Sequence, residues 1–164
     1  MANHALQEAI DHLSIADVYL IGSEARHSQG FNPKDANALE NLKVQSMHIV
    51  RRSELLETVE AERFVLRIVL GFGVRWIHGA TADTDQPVVA AFIEADYVAE
   101  YLMDGRLGQE SIDAFALHNA SYHVWPYWRE YLMSQCDRLR MPRLVLPTRQ
   151  FPDNRDQDGT APEQ

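Results

Sequence analysis

The chain has 164 residues, 46% of them hydrophobic and 24% charged, which is the ordinary balance of a soluble globular domain. No apolar run approaches the roughly 18 residues that span a bilayer, and the N-terminus lacks the basic start and apolar stretch of a signal peptide, so we expect a cytoplasmic protein without membrane insertion. The net charge of −9 disfavours nucleic acid as a partner, and the single cysteine, Cys136, excludes an intrachain disulfide and a thiolate metal cluster.

The first half of the chain predicts a short helix and two strands. Residues 1–13 form a helix-like extension, because their apolar side chains lie close to one stripe. A strand over residues 14–23 follows, where the DVYLI run is β-prone. Residues 28–41 are rich in turn formers and predict a loop. A second strand is expected over residues 43–52, although its alternation is weak.

The third strand, residues 62–76, has the clearest pattern in the sequence. Seven apolar residues recur at every second position from Phe64 to Trp76, and the other face carries Arg63, Arg67 and Arg75. Such alternation is typical of a half-buried antiparallel strand.

The fourth strand is expected over residues 88–102, and its two faces differ in polarity. One face is apolar, with Val89, Ile93 and Tyr97, whereas the other carries Phe92 and an acidic row of Glu94, Asp96 and Glu100. Seven acids and one base fall between positions 83 and 110. This outer surface would repel nucleic acid and could attract a basic partner; equally, the acids could simply keep the surface soluble.

The rest of the chain predicts helices over about residues 109–139, with Pro126 either starting the second helix or kinking it. Four strands followed by helices give an α+β fold, with one four-stranded antiparallel sheet and helices packed on one face. Residues 14–151 would form this domain, and residues 152–164 a disordered acidic tail. Such a single layer leaves long edges to cover, for which self-association is the usual remedy.

Residues 119–151 carry a family resemblance. They contain Trp125-Pro126-Tyr127-Trp128-Arg129-Glu130, then Met141-Pro142, then Leu144-Val145-Leu146-Pro147 and finally Gln150-Phe151. This order resembles the late region of the SecB family of protein-export chaperones. Residues 89–94 are similar to the family's fourth strand. The resemblance extends over about residues 17–151 and is most specific in the last third.

The resemblance implies a homotetramer, a dimer of dimers, that holds unfolded precursor polypeptides in apolar grooves without ATP, metal or any other cofactor. Its role would be to deliver these precursors to the SecA motor, or to support other clients such as toxin–antitoxin partners. By the same resemblance, Tyr127, Trp125, Trp128 and Phe151 would line the client groove. Phe92, Glu94 and Asp96 would form the face that contacts SecA.

Three features depart from the family pattern. Gly22 and Arg26 stand where the first strand of the family contributes to an outer acidic patch. The sequence after Phe151 is a proline-containing polar tail rather than a last helix, and residues 1–13 are an additional segment. We therefore expect a divergent or specialised member.

The same residues permit less specific interpretations. Of the aromatic residues between positions 122 and 131, we expect about half to pack the helices onto the sheet. His118 and His123 are five positions apart, do not stack on one helix face, and predict no metal site. No convergent set of acid–base residues suggests an enzyme. The main alternative to a chaperone is an oligomeric interaction module whose apolar surface is entirely used in its own assembly.

Overall fold

The computed structural model describes residues 2–58 and 63–147, with side chains from His4 onward. Helix α1 (Ala2–His12) leads directly into strand β1 (Leu13–His27). Strands β2 (Leu42–Thr58), β3 (Arg63–His78) and β4 (Val89–Met103) follow, with a short 3-10 turn at Gly79–Thr81. Helices α2 (Gln109–Phe115) and α3 (Ser121–Leu139) complete the regular structure and are joined by a π-helical turn at Ala116–Ala120.

The four strands form one antiparallel sheet in the order β1-β4-β3-β2. This is a Greek-key arrangement, since β2, β3 and β4 are sequential neighbours and β1 returns beside β4. The loop of residues 28–41 therefore connects one edge of the sheet to the other. The order makes β3 and β4 the central strands and β1 and β2 the edges, and it confirms the predicted four-stranded antiparallel sheet.

The core lies between the sheet and the helices. The apolar faces predicted for β3 and β4 point to this inner side, except that a register shift at Ala90 pairs Val89 with Ile77 and turns Val89 to the opposite face. On the inner side Phe72 stacks on Trp128 of α3 at a ring-centroid distance of 5.6 Å. The buried positions of α3 recur every four residues, at Val124, Trp128, Leu132 and Cys136, as expected for one face of a helix. Helices therefore cover one face of the sheet, as the sequence predicted.

The edge strands are longer than the sequence predicted, because bulges interrupt their alternation. β1 shifts register at Ala16 and Ile21, and β2 shifts at Arg51. Each extra residue moves the following side chains to the opposite face, so a strict period of two is lost. The weak alternation in residues 43–50 has another cause: the register is regular there, but Ser46 and His48 face inward while Met47 and Ile49 face outward.

The helical region is continuous from Gln109 to Leu139, so Pro126 lies inside a helix rather than at its start. Arg140 ends α3 in a left-handed conformation with φ of 56°. Helix α1 also packs on the domain: the Ser111 hydroxyl of α2 donates a 2.6 Å hydrogen bond to Glu8, and Ala9 is fully buried in the core.

Candidate functional site

Apolar side chains are exposed mainly on the two edge strands. Of the fourteen large hydrophobic residues exposed in the described part of the chain, eight belong to β1 or β2. They are Ile15, Leu20 and Ile21 on β1 and Val44, Met47, Ile49, Leu55 and Leu56 on β2. We call these eight residues the edge surface. The monomer thus buries the inner face of its central strands and leaves two apolar margins open to another polypeptide.

On β1, part of the edge surface lies on the helix side of the sheet. Ile15 and Leu20 pair in register with Tyr101 and Tyr97, whose side chains point to the helices. The Tyr97 hydroxyl donates a 3.3 Å hydrogen bond to the Tyr127 carbonyl of α3. This face of β1 therefore lies beside the turn of α3 that carries Tyr127.

On β2, apolar side chains are exposed on both faces of the sheet. Val44 and Leu55 pair with Trp76 and Leu66 and so face the helix side, whereas Met47 and Ile49 pair with Gly73 and Gly71 and face outward. Because β2 is an edge strand, one side of its backbone is not paired within the sheet. Unpaired backbone groups flanked by apolar side chains suit an extended polypeptide.

The sequence-predicted groove residues Trp125 and Tyr127 occupy different surroundings. Trp125 is half-buried, and its indole N–H donates a 2.7 Å hydrogen bond to the Pro147 carbonyl. Its ring also packs 6.1 Å from Phe72. Tyr127 is 49% exposed. Successive helix positions are about 100° apart, so residues two positions apart differ by about 200°. Trp125 and Tyr127 therefore leave α3 on nearly opposite sides.

Of the other two predicted groove residues, Trp128 is buried, and Phe151 is not among the residues that the structure describes. The Trp128 ring is only 2% exposed, because it is enclosed by the sheet and stacked between Phe72 and Tyr131. Trp128 is therefore a core residue and not the groove residue that we expected. Phe151 lies outside the described residues, as does the tail of residues 152–164.

The outer face of the sheet, opposite the helices, carries a row of ion pairs that crosses all four strands. Glu100 of β4 accepts hydrogen bonds from the Tyr19 hydroxyl at 2.8 Å and from Arg67 Nη2 at 2.9 Å. Arg67 also lies 3.9 Å from Glu54, which pairs with Arg52 at 2.6 Å. The hydrogen bonds from Tyr19 and Arg67 hold the pKa of the Glu100 carboxyl below its usual value.

The residues predicted to contact SecA lie together on this outer face. Asp96 is paired with Arg51 of β2 at 2.6 Å, and Arg26 lies over the half-buried Phe92 ring at 5.2 Å from its centroid. Glu94 is exposed and, within the part of the chain that the structure describes, forms no ion pair. In the predicted acidic row, Asp96 and Glu100 are therefore paired with arginines from β2 and β3, Glu94 is not, and the phenylalanine is only half-buried.

The described residues include no group of three or more histidine, cysteine or acidic side chains arranged to hold a metal ion. No helix within residues 2–58 and 63–147 is long and apolar enough to cross a membrane. Burial raises the pKa of the Cys136 thiol and lowers that of His123.

Sequence reasoning missed the edge surface as a candidate site. The exposed residues of β1 and β2 are ordinary strand residues, and only the strand order shows that they lie at the margins of the sheet. The sequence did contain one signal, because β1 and β2 carry apolar residues on both of their faces.

No protein-family profile matches the chain, and no curated protein sequence matches it. Among solved structures, the chain is similar to the SecB-like chaperone of Mycobacterium tuberculosis in complex with a ChAD peptide from the HigA1 antitoxin. The two are 19% identical in sequence, and the superposition covers 91% of this chain and 99% of the other with a TM-score of 0.67. The chain therefore has a SecB-like α+β fold, as the resemblance in residues 119–151 predicted.

Proposed function

We propose that the protein is a SecB-like, ATP-independent chaperone that binds extended segments of unfolded polypeptide. The observation that carries the proposal is the edge surface, because eight large apolar side chains remain exposed beside a fully buried core. Binding would be passive: each apolar contact contributes about 25 cal/mol per Å² before ordering costs, so affinity accumulates along a long segment. Tyr127 and Trp125 are the aromatic residues that we assign to this function.

Self-association is part of the proposal. Two apolar edges on one subunit suit an assembly in which a second copy covers one edge and the other remains for clients. We propose the homotetramer, a dimer of dimers, that the resemblance implies, working in the cytoplasm. The competing interaction module would instead cover all of the edge surface in its own assembly.

For the client, we favour a dedicated partner such as an antitoxin. Its support is that the similar M. tuberculosis chaperone was solved with an antitoxin peptide. Precursor export through SecA is a second candidate, and it would use Phe92, Glu94 and Asp96. Its support is confined to Glu94, which is exposed and unpaired among the described residues.

The proposal is tested by the aggregation of a reduced, unfolded test protein, followed together with the mass of the oligomer by light scattering. We expect suppression near one oligomer per client without ATP. A stable oligomer that leaves aggregation unchanged would instead support the interaction module.

Paired variants assign the effect to the edge surface. Val44→Lys places a charge on the exposed β2 edge, whereas Leu39→Lys makes the same kind of change at a 38% exposed position in the loop between β1 and β2. We expect only Val44→Lys to weaken suppression. Equal loss in both variants would show that general surface hydrophobicity, and not the edge, binds the client.

A further inference from the structure

The charge of the outer sheet face differs from that of the whole protein. The protein has a net charge of −9, yet the strand register places more bases than acids on this face. The six acids are Asp17, Glu24, Glu54, Glu94, Asp96 and Glu100, and the seven bases are Arg26, Lys43, Arg51, Arg52, Arg63, Arg67 and Arg75. The excess of acid therefore resides on the other surfaces and in the loops.

Most of the outer acids have an arginine partner on the same face. Glu24 pairs with Arg26 at 3.1 Å, and Glu54 pairs with Arg52 at 2.6 Å. Arg67 supplies both Nε and Nη2 to Glu100, at 3.0 and 2.9 Å. The bases come mainly from β2 and β3, so strands distant in sequence from the acidic row neutralise it.

Arg51 is placed by three separate features of the chain. It is the extra residue of the β2 bulge, and its side chain passes over β3 to reach Asp96 of β4. The β3 residue beneath it is Gly71, where an added Cβ would lie 2.8 Å from Arg51 Nε. A bulge, a glycine and an arginine thus combine to bring a cation onto Asp96 across an intervening strand.

The charged side chains of this face also cover the apolar residues beneath them. Val69 and Val98 pair across β3 and β4 on the outer side, and they are 0% and 2% exposed although they lie on the face opposite the described helices. Their row continues to Tyr19 on β1 and Arg52 on β2.

Around Asp96 and Glu100 the apolar residues of this face are covered and both carboxylates are paired, so this part of the face offers little to a basic partner. Glu94 forms no ion pair among the described residues, and Met47 and Ile49 are exposed at the β2 margin of the same face.

We propose that the centre of the outer face, around Asp96 and Glu100, is a self-compensated surface that does not dock a basic partner, and that Arg51 is the residue that neutralises Asp96. The inference concerns the acids of β4 at the centre of this face, whereas client binding is proposed for the edge surface, of which Met47 and Ile49 border the face at β2. It implies that the chain hands no client to a basic docking module at this face. The SecA contact that the resemblance implies for Phe92, Glu94 and Asp96 would then be absent.

The first test is carbodiimide crosslinking of the native protein to a lysine-rich peptide, with the coupled carboxylates mapped by mass spectrometry. In the wild type we expect coupling at loop acids such as Asp83 and Asp85, and little at Asp96. Arg51→Ser should raise coupling at Asp96 several-fold. Arg143→Ser is the matched control, because Arg143 pairs with Asp137 on α3 at 2.9 Å and its loss should raise coupling only at Asp137.

Two results would overturn the inference: wild-type coupling at Asp96 equal to that at Asp83, or no rise in Arg51→Ser protein that keeps its native circular dichroism spectrum. A second measurement is titration calorimetry with purified SecA. We expect no binding, and binding that Glu94→Lys abolishes would also overturn the inference. Arg51→Ser should suppress aggregation as well as the wild type does. A failure of the outer-face inference can therefore be distinguished from a failure of the chaperone proposal.

Discussion

Trp125 and Tyr127 are two residues apart on α3, yet Trp125 is hydrogen-bonded to the segment that follows the helix and Tyr127 is exposed to solvent. The Trp125 indole donates to the Pro147 carbonyl at 2.7 Å, while the Tyr127 ring is 49% exposed beside β1. The described part of the segment after α3, up to Pro147, therefore occupies the flank of the helix that carries Trp125 and not the flank that carries Tyr127. Among the described aromatic residues of α3, Tyr127 is the one whose side chain is exposed to an incoming segment.

Tyr127→Ala should weaken client binding several-fold and leave the oligomer intact. The ring contributes apolar area to a segment lying against it, and its removal costs little to the fold because half of it is already in water. We expect the free energy of unfolding to change by about 1 kcal/mol or less. Client affinity is measured by fluorescence anisotropy of a labelled unfolded peptide, and an unfolded or dissociated variant would show that the ring is structural instead.

Trp128→Ala should destabilise the domain by about 3–5 kcal/mol, the usual cost of removing a large buried aromatic side chain. Its ring is 2% exposed and stacks on Phe72 and Tyr131, so a cavity would open between α3 and the sheet. Urea denaturation of Trp128→Ala and Tyr127→Ala side by side provides the comparison. Similar stability of the two variants would contradict the placement of Trp128 in the core.

The contrast between these two residues shows how far the sequence could be interpreted. Both are aromatic, adjacent in sequence and part of the resemblance, and only the packing of α3 distinguishes the core residue from the surface residue. The central strands were readily predicted because β3 alternates without interruption from Phe64 to Trp76 and β4 from Ala91 to Met103. Their pattern follows directly from burial on one face.

The edge strands could not be predicted as well, for two physical reasons. Bulges at Ala16, Ile21 and Arg51 shift the phase of alternation, so both strands seemed shorter than they are. The position of β1 beside β4 depends on pairing over about 80 residues, which no local pattern records. The charge on the outer face escaped prediction similarly, because the arginines that meet the acidic row lie on other strands.

Two glycines should respond differently to alanine. An added Cβ at Gly79 would lie 2.5 Å from the backbone carbonyl oxygen of Asn41, which also accepts a hydrogen bond from the Gly79 N–H. Because backbone must move, we expect Gly79→Ala to cost about 1–3 kcal/mol. At Gly71 the added carbon meets only the flexible end of Arg51, so we expect a change within about 0.5 kcal/mol.

Thermal and urea unfolding of both glycine variants measure these costs. Gly71→Ala should also displace Arg51 and reproduce the higher Asp96 coupling expected of Arg51→Ser. Equal stability losses at the two positions would mean that Arg51 is held as rigidly as backbone.

Glu100 should make folding stability depend on pH in the acidic range. Hydrogen bonds from Tyr19 and Arg67 lower the pKa of its carboxyl in the folded state. Above the ordinary carboxyl pKa of about 4.3, the group is ionised in both states and its stabilisation is fully present. As the pH falls, the unfolded chain takes up the proton first, so the stabilisation is lost as the pH falls through the folded-state pKa.

Glu100→Gln removes this titrating group while keeping an acceptor for the Tyr19 hydroxyl. The variant should be less stable than the wild type at pH 7, and the difference should shrink as the pH is lowered toward 3. Urea denaturation at a series of pH values measures the difference, with Asp83→Asn, a change of an exposed loop acid, as the control. A stability difference that stays constant across the pH series would contradict this prediction. It would show that the charge of Glu100 does not contribute to folding stability.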